Sequence, residues 1–115
     1  MRYLIIFLLF CTSALGSSLN LTCTVSDKSY SDNIKIIGSK AIMEWVNGRF
    51  LQTGDVTITS DAYIITGDIK MGDSKLGTFR YSINRTAGIF QKNLTYNKTG
   101  PSSNYGNCTK TQNKF

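Results

Sequence analysis

From Leu19 onward, apolar and polar residues alternate with a period of two. In Leu19–Val25 the side chains of Leu19, Leu21, Cys23 and Val25 share one face and Asn20, Thr22 and Thr24 the other, the pattern of a strand with one buried side. Residues 26–33 are polar and read as a loop; 34–37 form a short apolar strand ended by Gly38. Residues 41–46 run into Asn47-Gly48, a strong hairpin signal because both central positions of a type I′ turn need positive φ, and 49–51 return beside them. Two similar phrases follow, Thr53-Gly54-Asp55-Val56 and Thr66-Gly67-Asp68-Ile69. Glycine followed by aspartate predicts a turn at each. Strands are predicted over 56–59 and 62–66, a turn at Gly72-Asp73, and a clear strand over 75–84 with Phe79, Tyr81 and Ile83 on one face. After a turn ending at Gly88, Ile89–Tyr96 is its partner, 100–104 around Pro101 is a loop, and 105–110 is the last strand.

No segment holds apolar residues at helical spacing, so the fold class is all-β. About eight short strands with turn signals between them predict a small antiparallel barrel or sandwich.

The chain's beginning assigns a compartment. Met1-Arg2, the apolar run from Tyr3 to Phe10, and Ala14-Leu15-Gly16 have the three parts of a secretory signal peptide. The expected organisation is a signal peptide over 1–16 and a single β domain over 17–115. The apolar run is too short for a membrane-spanning helix of about 20 residues, so no stable membrane span is expected, and the product is secreted or periplasmic. Cys11 leaves with the leader. Cys23 and Cys108 remain and, in an oxidising compartment, are expected to form a disulfide. That bond requires the first and last strands to lie side by side, with Cα atoms about 4.4–6.8 Å apart, which favours closure into a barrel.

Some of these residues carry a resemblance. Leu21-Thr22-Cys23, the segment from Phe79 through Ile83-Asn84-Arg85 to Gly88-Ile89-Phe90, and Gly106-Asn107-Cys108-Thr109-Lys110 resemble a loose group of small exported bacterial β-proteins. That group shares an L-x-C strand, an I-N-R-x-x-G hairpin and a closing G-x-C-x-K. The resemblance implies a scaffold and assigns no functional residue. In outline the chain also resembles periplasmic lysozyme-inhibitor barrels with terminal cysteines, although Ser60-Asp61-Ala62-Tyr63 lacks the glycine of their S-G-x-x-Y loop.

Candidate chemistry is sparse. The sequence has no histidine, which removes histidine-based nucleophilic catalysis and the commonest transition-metal ligand. Glu44 is the single glutamate, on an alternating strand. Asp55, Asp68 and Asp73 each follow glycine, and turn chemistry accounts for them without a catalytic role. No metal site, cofactor motif or catalytic residue is assigned, and the chain is read as a non-enzyme. The formal net charge is +6, Arg2 included, and it is dispersed over the chain. Dispersed cations suit attraction to anionic envelope lipid or polysaccharide, or a protein partner; export argues against nucleic acid. Trp45, Phe50, Tyr63, Phe79, Tyr81, Phe90 and Tyr96 are the candidate lining of an apolar ligand cavity, with core packing as their alternative role. Asn20, Asn84, Asn93, Asn97 and Asn107 each begin an Asn-x-Thr triplet, relevant only in a glycosylating host. The expected function is therefore binding at the cell envelope by an exported β-barrel. The alternatives are an inhibitor of a hydrolase such as lysozyme, against which a basic charge counts, and a hydrolase built on the turn aspartates.

Overall fold

The computed structural model describes residues 18–111. The signal-peptide assignment and Cys11 lie outside the described residues. Eight strands follow one another: β1 (Leu19–Val25), β2 (Ser31–Ile37), β3 (Lys40–Trp45), β4 (Phe50–Ile58), β5 (Ala62–Met71), β6 (Ser74–Asn84), β7 (Ile89–Tyr96) and β8 (Gly100–Lys110). Each pairs antiparallel with the next, and β8 pairs with β1, so the sheet closes into a barrel. Among the described residues no helix is long and apolar enough to cross a membrane.

Closure follows from the pattern already visible in β1. Leu21, Cys23 and Val25 face inward, and Cys23 lies directly opposite Cys108 in the β1–β8 ladder. The two cysteines form the expected disulfide, with Cα atoms 3.9 Å apart, closer than the usual lower bound of about 4.4 Å. A disulfide belongs to an oxidising compartment. The bond closes the chain over residues 23–108, and in the chain-entropy picture such a loop contributes about 4–5 kcal/mol.

Alternation fills the middle of the barrel. Cys23, Ile34, Met43, Ile65, Tyr81 and Phe90 are all fully buried there. Trp45 meets Phe79 edge-on with ring centroids 5.0 Å apart, and Tyr81 lies against Phe90 at 5.1 Å.

Four sequence expectations change. Residues 31–33 belong to β2, not to a loop, and 100–104 belong to β8. Pro101 is accommodated because 100–105 pair with β7 alone, whereas β1 meets β8 only from Gly106 onward; a residue without an N–H fits a free edge. Asp55 and Asp68 lie inside β4 and β5, not in turns. The glycines before them are strand glycines: a Cβ on Gly54 or Gly67 would stand 3.0 Å or closer to the Phe79 ring. Finally, the Asn47-Gly48 hairpin is wider than two residues. Val46, Asn47 and Gly48 all have positive φ, and Arg49 N–H donates to the Trp45 carbonyl at 2.9 Å.

Candidate functional site

One end of the barrel is formed by the β1–β2, β3–β4, β5–β6 and β7–β8 connections, and the side chains beneath them include two buried charges. Asp32 is in phase with Ile34 and Ile36 on β2, so the strand's own pleat turns it inward. Lys92 is in phase with Phe90 and Leu94 on β7 and is likewise inside. Their side chains are 0% and 2% exposed, and Lys92 Nζ donates to Asp32 Oδ2 at 2.9 Å. Lys92 is thus not one of the dispersed surface cations; the phase of β7 places it inside.

Both carboxylate oxygens are engaged. Tyr81 Oη–H also donates to Oδ2 at 2.9 Å, while Val46 N–H donates to Oδ1 at 2.9 Å. Val46 holds a left-handed conformation (φ 53°), uncommon for a β-branched residue, and its bond to Asp32 helps hold that turn. Asn47 fastens the same turn to β2, its N–H donating to the Ser31 carbonyl and its Oδ1 accepting from Ser31 N–H. On the other side the Lys92 ammonium lies among aromatic faces, 4.1 Å from the Trp45 ring centroid and 5.1 Å from that of Tyr30. Cation–π contact partly replaces lost hydration.

Titration behaviour follows from this placement. Burial pushes Lys92 below the ordinary lysine range, and the Asp32 carboxylate opposes the shift. Tyr81 is pushed upward by burial and then by Asp32. Tyr30 is raised to about 12, first by burial and then by Asp32.

Beside the ion pair is a cavity of 310 Å³. Trp45, Val46, Phe50, Ile69, Met71, Leu76, Leu94 and Tyr96 supply apolar surface; Tyr30, Gln52, Lys70, Lys92, Ser102 and Asn104 supply polar groups. Its volume lies at the lower end of small-molecule sites, roughly 300–1,000 Å³. Of the seven aromatic candidates, Trp45, Phe50 and Tyr96 line this cavity. Tyr63 lies at the opposite end, under the Arg85 guanidinium at 5.1 Å. Phe79, Tyr81 and Phe90 belong to the packed interior. Asp32, Lys92, Tyr30 and Gln52 were not among the candidates, and strand phase was the signal that could have found Lys92 and Gln52.

Gln52 marks a seam in the wall. Strands β4 and β5 pair only between Asp55–Ile58 and Tyr63–Thr66; nearer the cavity their ladder stops. There Gln52 Oε1 accepts from Lys70 N–H at 3.0 Å and Nε2 donates to the Lys70 carbonyl at 2.9 Å. A side-chain amide thus stands in for a backbone pair, next to a register shift between Ile69 and Lys70. On the outer surface Asp55 and Asp68 border this seam, each paired with its own lysine, Lys40 and Lys75 respectively. The longest connection among the described residues, 26–30, is tied back by Val25 N–H to the Tyr30 carbonyl and Ser29 N–H to Asp27 Oδ1. No long loop therefore stands away from the barrel among the described residues.

The chain matches no family model, and no curated protein or solved structure matches it.

Proposed function

We propose that the protein is an exported, non-enzymatic binding module that acts at the cell envelope and holds a small, largely apolar ligand in the cavity at one end of its barrel. The carrying observation is the cavity itself: apolar walls around a few polar groups, at the end of a barrel whose middle is packed. Its shape suits retention of a ligand, and the carboxylates at the outer seam are neutralised by lysines. Attraction to anionic lipid or polysaccharide would come from exposed cations such as Lys28, Lys35, Lys70 and Lys98. It would weaken as salt rises, because exposed charges are screened over about 8 Å at physiological ionic strength.

Trp45, the single tryptophan, lines the cavity and serves as a reporter. Titration with N-phenyl-1-naphthylamine should give saturable energy transfer from Trp45. Leu94→Phe, which adds volume to the cavity wall, should weaken it. Absence of saturable transfer, or transfer unaffected by filling the cavity, would count against this site.

A further inference from the structure

The polarity of the cavity wall selects among ligands, and the Asp32–Lys92 pair sets that polarity. Asp32 receives three donors, from Val46, Tyr81 and Lys92. Its acceptor capacity is largely taken up. The Lys92 ammonium carries three N–H bonds, and among the described residues only Asp32 accepts one of them. The Trp45 and Tyr30 rings stand 4.1 and 5.1 Å from Nζ, and both rings line the cavity together with Lys92. Gln52 adds no competing group, since both ends of its amide are spent on Lys70. Around Lys92 donors are therefore in excess and the Asp32 acceptors are committed; the side-chain acceptors of the lining on Ser102 and Asn104 belong to β8.

Charge decides the rest. The buried pair is neutral as a unit. A carboxylate ligand at Lys92 would place a second anion beside Asp32 with one buried cation to serve both, because Lys70, the other lysine of the lining, is exposed at the rim; a buried charge without its own partner is expensive. A cationic ligand would meet the Lys92 ammonium, and the Trp45 and Tyr30 faces already attract that ammonium. A neutral oxygen acceptor meets neither penalty and gains a hydrogen bond from a charged donor.

We infer that the ligand is uncharged and presents a hydrogen-bond-accepting oxygen, such as a ketone, ester, lactone or amide carbonyl, to Lys92 Nζ, with its apolar body against Trp45 and Leu94. This rests on the cavity being the ligand site.

The test uses four probes of nearly one shape: cyclohexyl methyl ketone, isopropylcyclohexane, cyclohexanecarboxylate and 1-cyclohexylethylammonium, titrated into the mature protein and followed by NMR shift changes. The ketone should bind on the order of tenfold more tightly than the hydrocarbon, the difference expected for a hydrogen bond to a charged group. Both charged probes should bind more weakly than the ketone. In the double variant Asp32→Asn/Lys92→Met, which removes both charges together, the preference for ketone over hydrocarbon should disappear while the hydrocarbon still binds. If that variant does not fold, the wild-type series decides alone. Equal binding of ketone and hydrocarbon, or tighter binding of either charged probe, would overturn the inference and leave the cavity as the site. Failure of all four to bind would overturn the cavity site and this inference with it.

Discussion

Asp32 and Lys92 are 60 residues apart in sequence and 2.9 Å apart inside the barrel. Pairing them costs desolvation of both ions, so the pair adds little net stability compared with apolar replacements, but breaking it strands a charge. Lys92→Met and Asp32→Leu should each destabilise the fold by about 3–5 kcal/mol. The double variant should lose much less than the sum. A urea double-mutant cycle measures the coupling; additive losses would mean that the pair is not a unit.

Gln52 bridges the seam with both ends of its amide. Gln52→Ala removes two hydrogen bonds to Lys70 and should cost about 1–3 kcal/mol. Hydrogen exchange gives a local readout: the Lys70 amide should be protected in the parent and exchange rapidly in the variant. Unchanged protection would show that the seam is closed by other groups.

Gly88 and Gly48 both have positive φ, at 76° and 90°. A Cβ on Gly48 meets nothing within 4 Å, whereas one on Gly88 would stand 2.7 Å from the Cys108 carbonyl oxygen. Gly48→Val should cost about 1 kcal/mol from backbone strain alone. Gly88→Val should cost more, because the clash falls on the ladder that carries the disulfide. Thermal melts should rank the parent above Gly48→Val and Gly48→Val above Gly88→Val.

Alkaline pH should test the packing of Tyr30. Unfolded tyrosines release their protons near pH 10, while folded Tyr30 keeps its proton until about 12. Between those values the unfolded state binds fewer protons, so the Tyr30 contribution is complete below pH 10 and is lost as pH rises through 12. Lys92 acts in the opposite sense. Its folded value is depressed, so stability rises with pH in the window below about 10.5, where the unfolded lysine still holds a proton. Comparison with Tyr30→Phe isolates the tyrosine. The stability gap between parent and variant should be constant below pH 10 and shift against the parent from 10 to 12. A constant gap throughout would place Tyr30 in solvent.

The strand framework was legible because a closed barrel imposes a period of two on every strand. Phe79, Tyr81 and Ile83 declared the inner face of β6, and Cys23 and Cys108 declared which strands meet. The buried polar site was hidden by the same reasoning. Asp32 lies inside the polar run 26–33, so nothing local distinguishes it from the loop residues before it; its burial depends on partners from β6 and β7, distant in sequence. Lys92 stood on the apolar face of β7, but a lysine is assigned to solvent unless its partner is known. Gly54-Asp55 and Gly67-Asp68 read as turns because glycine before aspartate usually breaks a strand. Here Phe79 occupies the space that a side chain on either glycine would need.

A ligand held in the cavity beside Trp45 and Leu94 is tested by an NMR map of intermolecular contacts with bound cyclohexyl methyl ketone. Nuclear Overhauser effects should connect the ketone to Trp45, Leu94 and Tyr96, with its methyl group nearest Lys92. Contacts confined to Tyr63 and Arg85 at the opposite end, or to the outer surface of the sheet, would contradict binding in the cavity.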